Sequence, residues 1–138
     1  MSLRPLSSAN PYEPTGQQPL LIPGLQSLVR LLLMQAERDR QSGIQTAGFV
    51  SGYRGSPLGG LDIEMWRAAD ALRHANIRFE PGVNEELAAT AIWGAQQANL
   101  GADASFDGVF GLGYIDTVES GKVEAILTES PVQDIEFG

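Results

Sequence analysis

The sequence predicts an α/β fold: a partial parallel β-sheet with flanking helices, preceded by an extended arm and followed by an acidic tail. Three observations predict it. Between residues 44 and 112, strand-like and helix-like segments alternate as strand, helix, strand, helix, strand, the pattern of a parallel sheet covered by its own crossovers. Glycine- and proline-containing breaks fall where each strand hands over to a helix. A hydrophobic content of 43% in 138 residues suffices for one core of ordinary domain size.

The elements follow in order. Residues 1–24 hold Pro5, Pro11, Pro14, Pro19 and Pro23, which excludes a long helix or a central strand. They read as an extended arm, with Leu20, Leu21 and Ile22 apolar enough to dock on the rest of the protein. Residues 24–42 read as a helix: Leu25, Leu28, Leu32 and Ala36 follow the 3.6-residue period, widened by Val29 and Leu33. Its polar end, Glu37 to Arg40, reads as solvated surface. Gly43 is a stop signal, because glycine enters the left-handed conformation without penalty. Residues 44–51 (IQTAGFVS) read as a strand. The next nine, GYRGSPLGG at 52–60, carry four glycines and one proline and exclude regular structure.

Residues 61–75 return to helix, with Asp62 as a candidate cap and Leu61, Met65, Ala68, Ala69 and Leu72 as the buried face. Ile77 to Phe79 is a short strand ended by Pro81-Gly82. Asn84 is an N-cap candidate, with Glu85 and Glu86 in the first turn, where the helix dipole favours negative charge. The helix runs on from Leu87 to Leu100, and Gly108 to Leu112 is the third strand. Trp66 and Trp93 sit within helical patterns and read as core or interface packing. His74 reads as a surface residue. From Ile115 onward six acids face one lysine, and Val123 to Leu127 fits a short strand or a helical turn.

Charge and composition exclude several function classes. A net charge of -8 and a pI near 4.5 argue against a nucleic-acid or anionic-membrane surface. Without cysteine the chain forms no disulfide and no thiolate-ligated zinc or iron–sulfur site, and one histidine makes no histidine cluster. No metal site is expected. The N-terminus lacks the apolar run of a secretory signal, and the apolar stretch from Leu28 to Met34 is broken by Arg30 and too short for a bilayer. A cytoplasmic protein with no membrane partner is the expectation.

Two segments carry candidate chemistry, and both follow strands, so both should sit at the carboxyl edge of the sheet, where such folds bind ligands. The loop GYRGSPLGG has neither the Gly-Lys-Ser/Thr ending of a phosphate loop nor the spacing of the dinucleotide fingerprint. It reads either as a tight strand-to-helix connection or as a place where backbone approaches a ligand. Ser56 supplies a hydroxyl there, and Arg54 is either an anion partner or simply exposed. Asn84-Glu85-Glu86 reads either as a capped helix start or as a carboxyl held at the edge of a site. A carboxyl in a dry pocket can share a proton with a ring nitrogen. Adjacent residues on a helix point about 100° apart, so at most one of the two acids enters such a site.

As a set, TAGFVSGYRGSPLGGLD, FEPGVNEELAATAIWGAQQANL and DGVFGLGY closely resemble the N-terminal region of the indolepyruvate ferredoxin oxidoreductases, in their fused single-chain form. The resemblance spans roughly residues 25–114. It implies a partial pyrimidine-binding α/β domain of the thiamine-diphosphate-binding type there, after the arm at 1–24 and before a divergent tail at 115–138. The family oxidatively decarboxylates an aryl 2-oxoacid to its acyl-coenzyme A and passes electrons through iron–sulfur clusters to ferredoxin. The implied cofactor contact is to the aminopyrimidine end of thiamine diphosphate only. The diphosphate with its Mg²⁺, and the [4Fe–4S] clusters, belong to regions not in this chain.

The family's glutamate maps onto Glu85, nine residues ahead of Gly94. Its implied role is a hydrogen bond to N1′ that favours the imino tautomer able to remove the C2 proton. Gly55 and Ser56 are implied near the cofactor, and Ser56 and Arg54 near the substrate. The family's glycine-rich continuation after the third strand is missing: Tyr114 is followed by IDTVESGKVEAILTESPVQDIEFG. The tail therefore reads as a truncation with an altered reading frame, a divergent paralogue or a separate short protein, and the chain is expected to be inactive alone and associated with another chain or domain. A non-catalytic regulatory module and a degenerate remnant of the family are the alternatives.

Overall fold

The computed structural model describes residues 10–13, 21–55, 58, 60–101, 103–117 and 122–129. Helix α1, Gly24–Gln41, precedes strand β1, Thr46–Gly52. Then come α2, Gly60–Arg67, α3, Ala69–His74, and β2, Ile77–Phe79. Helix α4, Glu85–Gln96, is followed by a short 3-10 turn at Ala98–Leu100, β3 at Gly108–Thr117 and β4 at Lys122–Glu129. Among the described residues the sheet order is β2-β1-β3-β4. The first three strands are parallel, and β4 adds an antiparallel edge. The expected parallel sheet with flanking helices is present. The segment open to strand or helical turn is a strand.

The stripe read from α1 is the one that packs. Val29, Leu32 and Leu33 are buried, and Leu25, Leu28 and Ala36 lie partly buried against them. They meet Val50 of β1, Leu61 and Met65 of α2, Leu72 of α3, and Phe110, Leu112 and Tyr114 of β3 in one core. Alternation along β1 and β3 sends the intervening residues to the opposite face, where α4 packs on β3 and β1. Ala88 and Ile92 form its buried seam. The chain thus leaves β1 toward one face of the sheet and β2 toward the other, and both departures lie at the carboxyl edge.

Boundaries follow local chemistry. Gly43 has φ of 78°, and its N–H donates to the Arg40 carbonyl at 3.1 Å, so it ends α1 in the expected left-handed conformation. Asn76, at φ of 56°, does the same between α3 and β2, asparagine tolerating this region better than other side-chain-bearing residues. The Asn84 side chain accepts from the Leu87 N–H at 2.8 Å and caps α4 as expected.

Several expectations are corrected. The helix read at 61–75 is two helices that meet at Ala68, whose ψ opens to 8° while the hydrogen bonds from Ala68 to Glu64 and from Leu72 to Ala68 continue. Ala69 is only partly buried. Asp62 does not cap: it lies inside α2 with its carboxylate buried. Neither tryptophan is in the core, Trp66 being 48% and Trp93 66% exposed. Strand β3 runs five residues past Leu112. In the arm, Leu21 is exposed rather than docked, and Leu20 lies outside the described residues. Tyr12 docks instead. Its hydroxyl donates to Glu64 Oε2 at 3.1 Å, while Arg30 Nη1 donates to the carbonyls of Pro11 at 3.0 Å and Glu13 at 2.5 Å. His74 is exposed as expected, with Nδ1 2.7 Å from the Asp70 carbonyl, so that nitrogen carries the proton.

Candidate functional site at the carboxyl edge of the sheet

The two chemistry-bearing segments lie side by side. The Glu80 N–H donates to the Val50 carbonyl at 2.9 Å, and the Gly82 N–H to the Gly52 carbonyl at 2.8 Å. A parallel bridge then joins Tyr53 to Gly82. The ladder between β1 and β2 therefore continues past both strand ends and ties the loop at 52–60 to the segment that delivers Asn84 and Glu85. Sequence reasoning placed both segments at one edge, and the bridge supplies their register.

Glu85 is the first residue of α4 and is partly buried, whereas Glu86 is exposed. Among the described residues the Glu85 carboxylate has no hydrogen-bond or ion-pair partner and so remains a free acceptor, while the Asn84 side chain performs the capping. Ser56 lies outside the described residues. Gly55 is exposed, and a side chain there would run into the Tyr53 ring.

Arg54 has a more defined place than the sequence offered. Its Nε lies 2.9 Å from Asp62 Oδ2, and its guanidinium carbon sits 4.7 Å above the centre of the Trp66 ring. Trp66 in turn packs edge-on against Phe79, with centroids 6.0 Å apart. The other Asp62 oxygen accepts from the Tyr114 hydroxyl. Burial first, then that hydrogen bond and the charge of Asp62, push the Tyr114 phenol above its ordinary value, so it stays a donor. Oδ2 makes no hydrogen bond although it is buried: Arg54 Nε is close enough for an ion pair, but its N–H is not aligned.

This triad of Arg54, Asp62 and Tyr114 escaped sequence reading, apart from the mention of Arg54. One signal for it existed. Position 62 falls beside Leu61 and Met65 on the helical wheel, and a charged residue on a buried stripe needs a partner. The partner is 52 residues away in sequence, so no local pattern could name it.

Two cavities open away from this edge, the first at the amino ends of β1, β2 and β3 and the second along β2. One of about 590 Å³ has Tyr12, Arg40, Gln45, His74 and Asn76 on its wall. Another of about 750 Å³ follows the open side of β2, with Trp66, Phe79, Phe49, Met65 and Leu72 among its lining. Among the described residues no cluster of three acids or histidines is arranged to hold a metal ion, and no helix is long and apolar enough to cross a membrane. In comparisons with protein-family models, curated proteins and solved structures, no family model, protein or structure matches this chain.

Proposed function

We propose that this chain supplies the aminopyrimidine-binding wall of a thiamine-diphosphate-dependent 2-oxoacid:ferredoxin oxidoreductase of the indolepyruvate type. The observation that carries the reading is the Tyr53–Gly82 bridge, which brings the helix start bearing the partly buried Glu85 alongside the chain that leaves β1 at the carboxyl edge of a parallel sheet. A carboxyl in that place fits an aminopyrimidine: it can share a proton with a ring nitrogen, and Asn84 relieves it of the capping role. When bound, thiamine diphosphate supplies the electron sink for decarboxylation of the 2-oxoacid. The residues of this chain orient its ring. Glu85 would hold a proton at N1′, Gly55 would line the approach and Arg54 would face the substrate; the resemblance assigns Ser56 to both, and it lies outside the described residues.

The diphosphate end with its Mg²⁺, the coenzyme A site and the iron–sulfur path to ferredoxin are assigned to other domains or chains. The described residues offer no acidic cluster for a metal, and the sequence offers no cysteine. The reading thus includes association with a second domain or chain. The exposed apolar residues Leu87, Trp93 and Leu100 along and after α4 fit such a contact.

The test is a titration of the isotope-labelled chain with thiamine diphosphate, followed by amide resonances. Shifts confined to residues 52–55 and 84–88 are expected, and Glu85→Gln should weaken them much more than Glu86→Gln. Shifts centred elsewhere, or none up to the solubility of the cofactor, would overturn the reading.

A further inference from the structure

Strand β2 is the outermost strand of the described sheet, and one side of it is open. The Gly48 N–H donates to the Asn76 carbonyl, and the Glu80 and Gly82 N–H groups donate to the carbonyls of Val50 and Gly52. Residues 76, 80 and 82 therefore turn their backbone groups toward β1. Those groups alternate sides along a strand, so the N–H and C=O of Ile77 and Phe79 face outward, where no described strand pairs with them. Pro81, the next outward residue, has no N–H to leave unpaired.

The cavity of about 750 Å³ wraps around this edge. On the face that Phe79 shares with Val50, its wall includes Trp66 and Ala69. On the other face Arg78 lies beside Phe49, and Ala95 and Ala98 continue the wall. A strand laid along β2 would send alternate side chains to these two faces. Charge narrows the occupant further. The chain carries a net charge of -8, yet the charged residues on this wall are Arg73 and Arg78. Each makes an exposed ion pair, Arg73 with Asp70 at 3.0 Å and Arg78 with Glu80 at 2.7 Å. Such pairs contribute little and exchange readily. The segment that fits is extended and alternates acidic with apolar residues.

The sequence holds such a segment. Residues 130–138 lie outside the described residues and read SPVQDIEFG, in which Asp134 and Glu136 alternate with Ile135 and Phe137. Within one chain it falls short. Strand β4 ends at Glu129 on the opposite edge, and a strand outside β2 lies four spacings away, about 19 Å at about 4.8 Å each. The five residues from Glu129 to Asp134 reach at most about 18 Å, on a straight line that the sheet itself blocks.

We propose that the open edge of β2 takes residues 132–137 of a second copy of this chain as an added strand. Ile77 and Phe79 exchange main-chain hydrogen bonds with it. Ile135 and Phe137 lie on the side of Trp66 and Phe79, while Asp134 and Glu136 face Arg78. The main-chain bonds supply affinity, and the alternating side chains set the register. The contact involves neither Glu85 nor the cofactor, so it stands or falls independently of the function proposed above.

The experiment uses the full chain. Sedimentation should show association that grows with concentration. Amide hydrogen exchange at Ile77 and Phe79 should slow as it does so. Ile135→Pro removes a strand N–H in the tail, away from the core, and should abolish both effects. That variant keeps an open β2 edge, so a synthetic peptide of residues 131–138 should bind it and again slow exchange at Ile77 and Phe79. Arg78→Glu, at an exposed position, should weaken association about fivefold, and Glu136→Arg in the same chain should restore it. A chain that stays monomeric up to its solubility limit would overturn the proposal. So would association that persists in Ile135→Pro, and if Trp93→Glu abolished it instead, the contact would belong to α4.

Discussion

Tyr114 and Gly52 are a matched pair at the carboxyl edge. The Tyr114 ring lies across the β1 backbone where a Gly52 side chain would stand, so Gly52→Ala must displace a ring that is fully buried. Overpacking of this kind costs about 1–3 kcal/mol, and a lowered urea midpoint should record it. Tyr114→Phe keeps the ring but removes the donor to Asp62, leaving a buried carboxylate one bond poorer, for an expected loss of about 1–3 kcal/mol. The same phenol sets a pH dependence. Its folded-state value is raised by burial and by Asp62, so below about pH 10 both folded and unfolded chains keep it protonated and its contribution is complete. As the pH rises through the unfolded value, the unfolded chain releases a proton that the folded chain holds, and stability falls. Tyr12 is raised in the same direction, by burial and then by Glu64. With one lysine in the sequence, tyrosines dominate this range. Urea midpoints measured from pH 8 to pH 11 should therefore fall less steeply in Tyr114→Phe than in the wild type.

At the scale of elements, α4 depends on its cap. Asn84 supplies the side-chain acceptor for the Leu87 N–H, and Asn84→Ala should destabilise the protein by about 0.5–2 kcal/mol in thermal melts. Because the same turn presents Glu85, that variant should also weaken thiamine diphosphate binding, whereas capping by Asp at this position should preserve the fold. Helix α1 and the arm form a second coupled unit. Arg30 binds two arm carbonyls and Glu64 accepts from Tyr12. Arg30→Ala should release residues 10–13, seen as faster amide exchange there with little change in the β1–β3 core. A helix that buries only Ala88 and Ile92 while leaving Leu87 and Trp93 exposed has more apolar surface than its own sheet can cover.

For the molecule as a whole, the function proposed above assigns the diphosphate site and the electron path to other domains or chains, and the expected outcome is that the purified chain does not reduce viologen with indolepyruvate. Turnover by the chain alone would contradict that assignment. Hydrophobic periodicity and turn chemistry were enough to determine the strand–helix alternation, the α1 stripe, the Gly43 stop and the Asn84 cap, because each depends on neighbours within a few residues. They also placed the loop at 52–60 and Glu85 at one edge of a parallel sheet, since parallel strands put all their following loops on the same side. The register that joins Tyr53 to Gly82, the antiparallel place of β4, and the burial of Asp62 between Arg54 and Tyr114 were decided only in three dimensions. Each pairs groups far apart in the chain, and nothing in a local pattern states which distant hydroxyl or guanidinium will meet a buried carboxylate. Trp66 shows the same limit: its helical position suggested packing, but its place beneath Arg54 exists only because Arg54, two residues past β1, lies over α2.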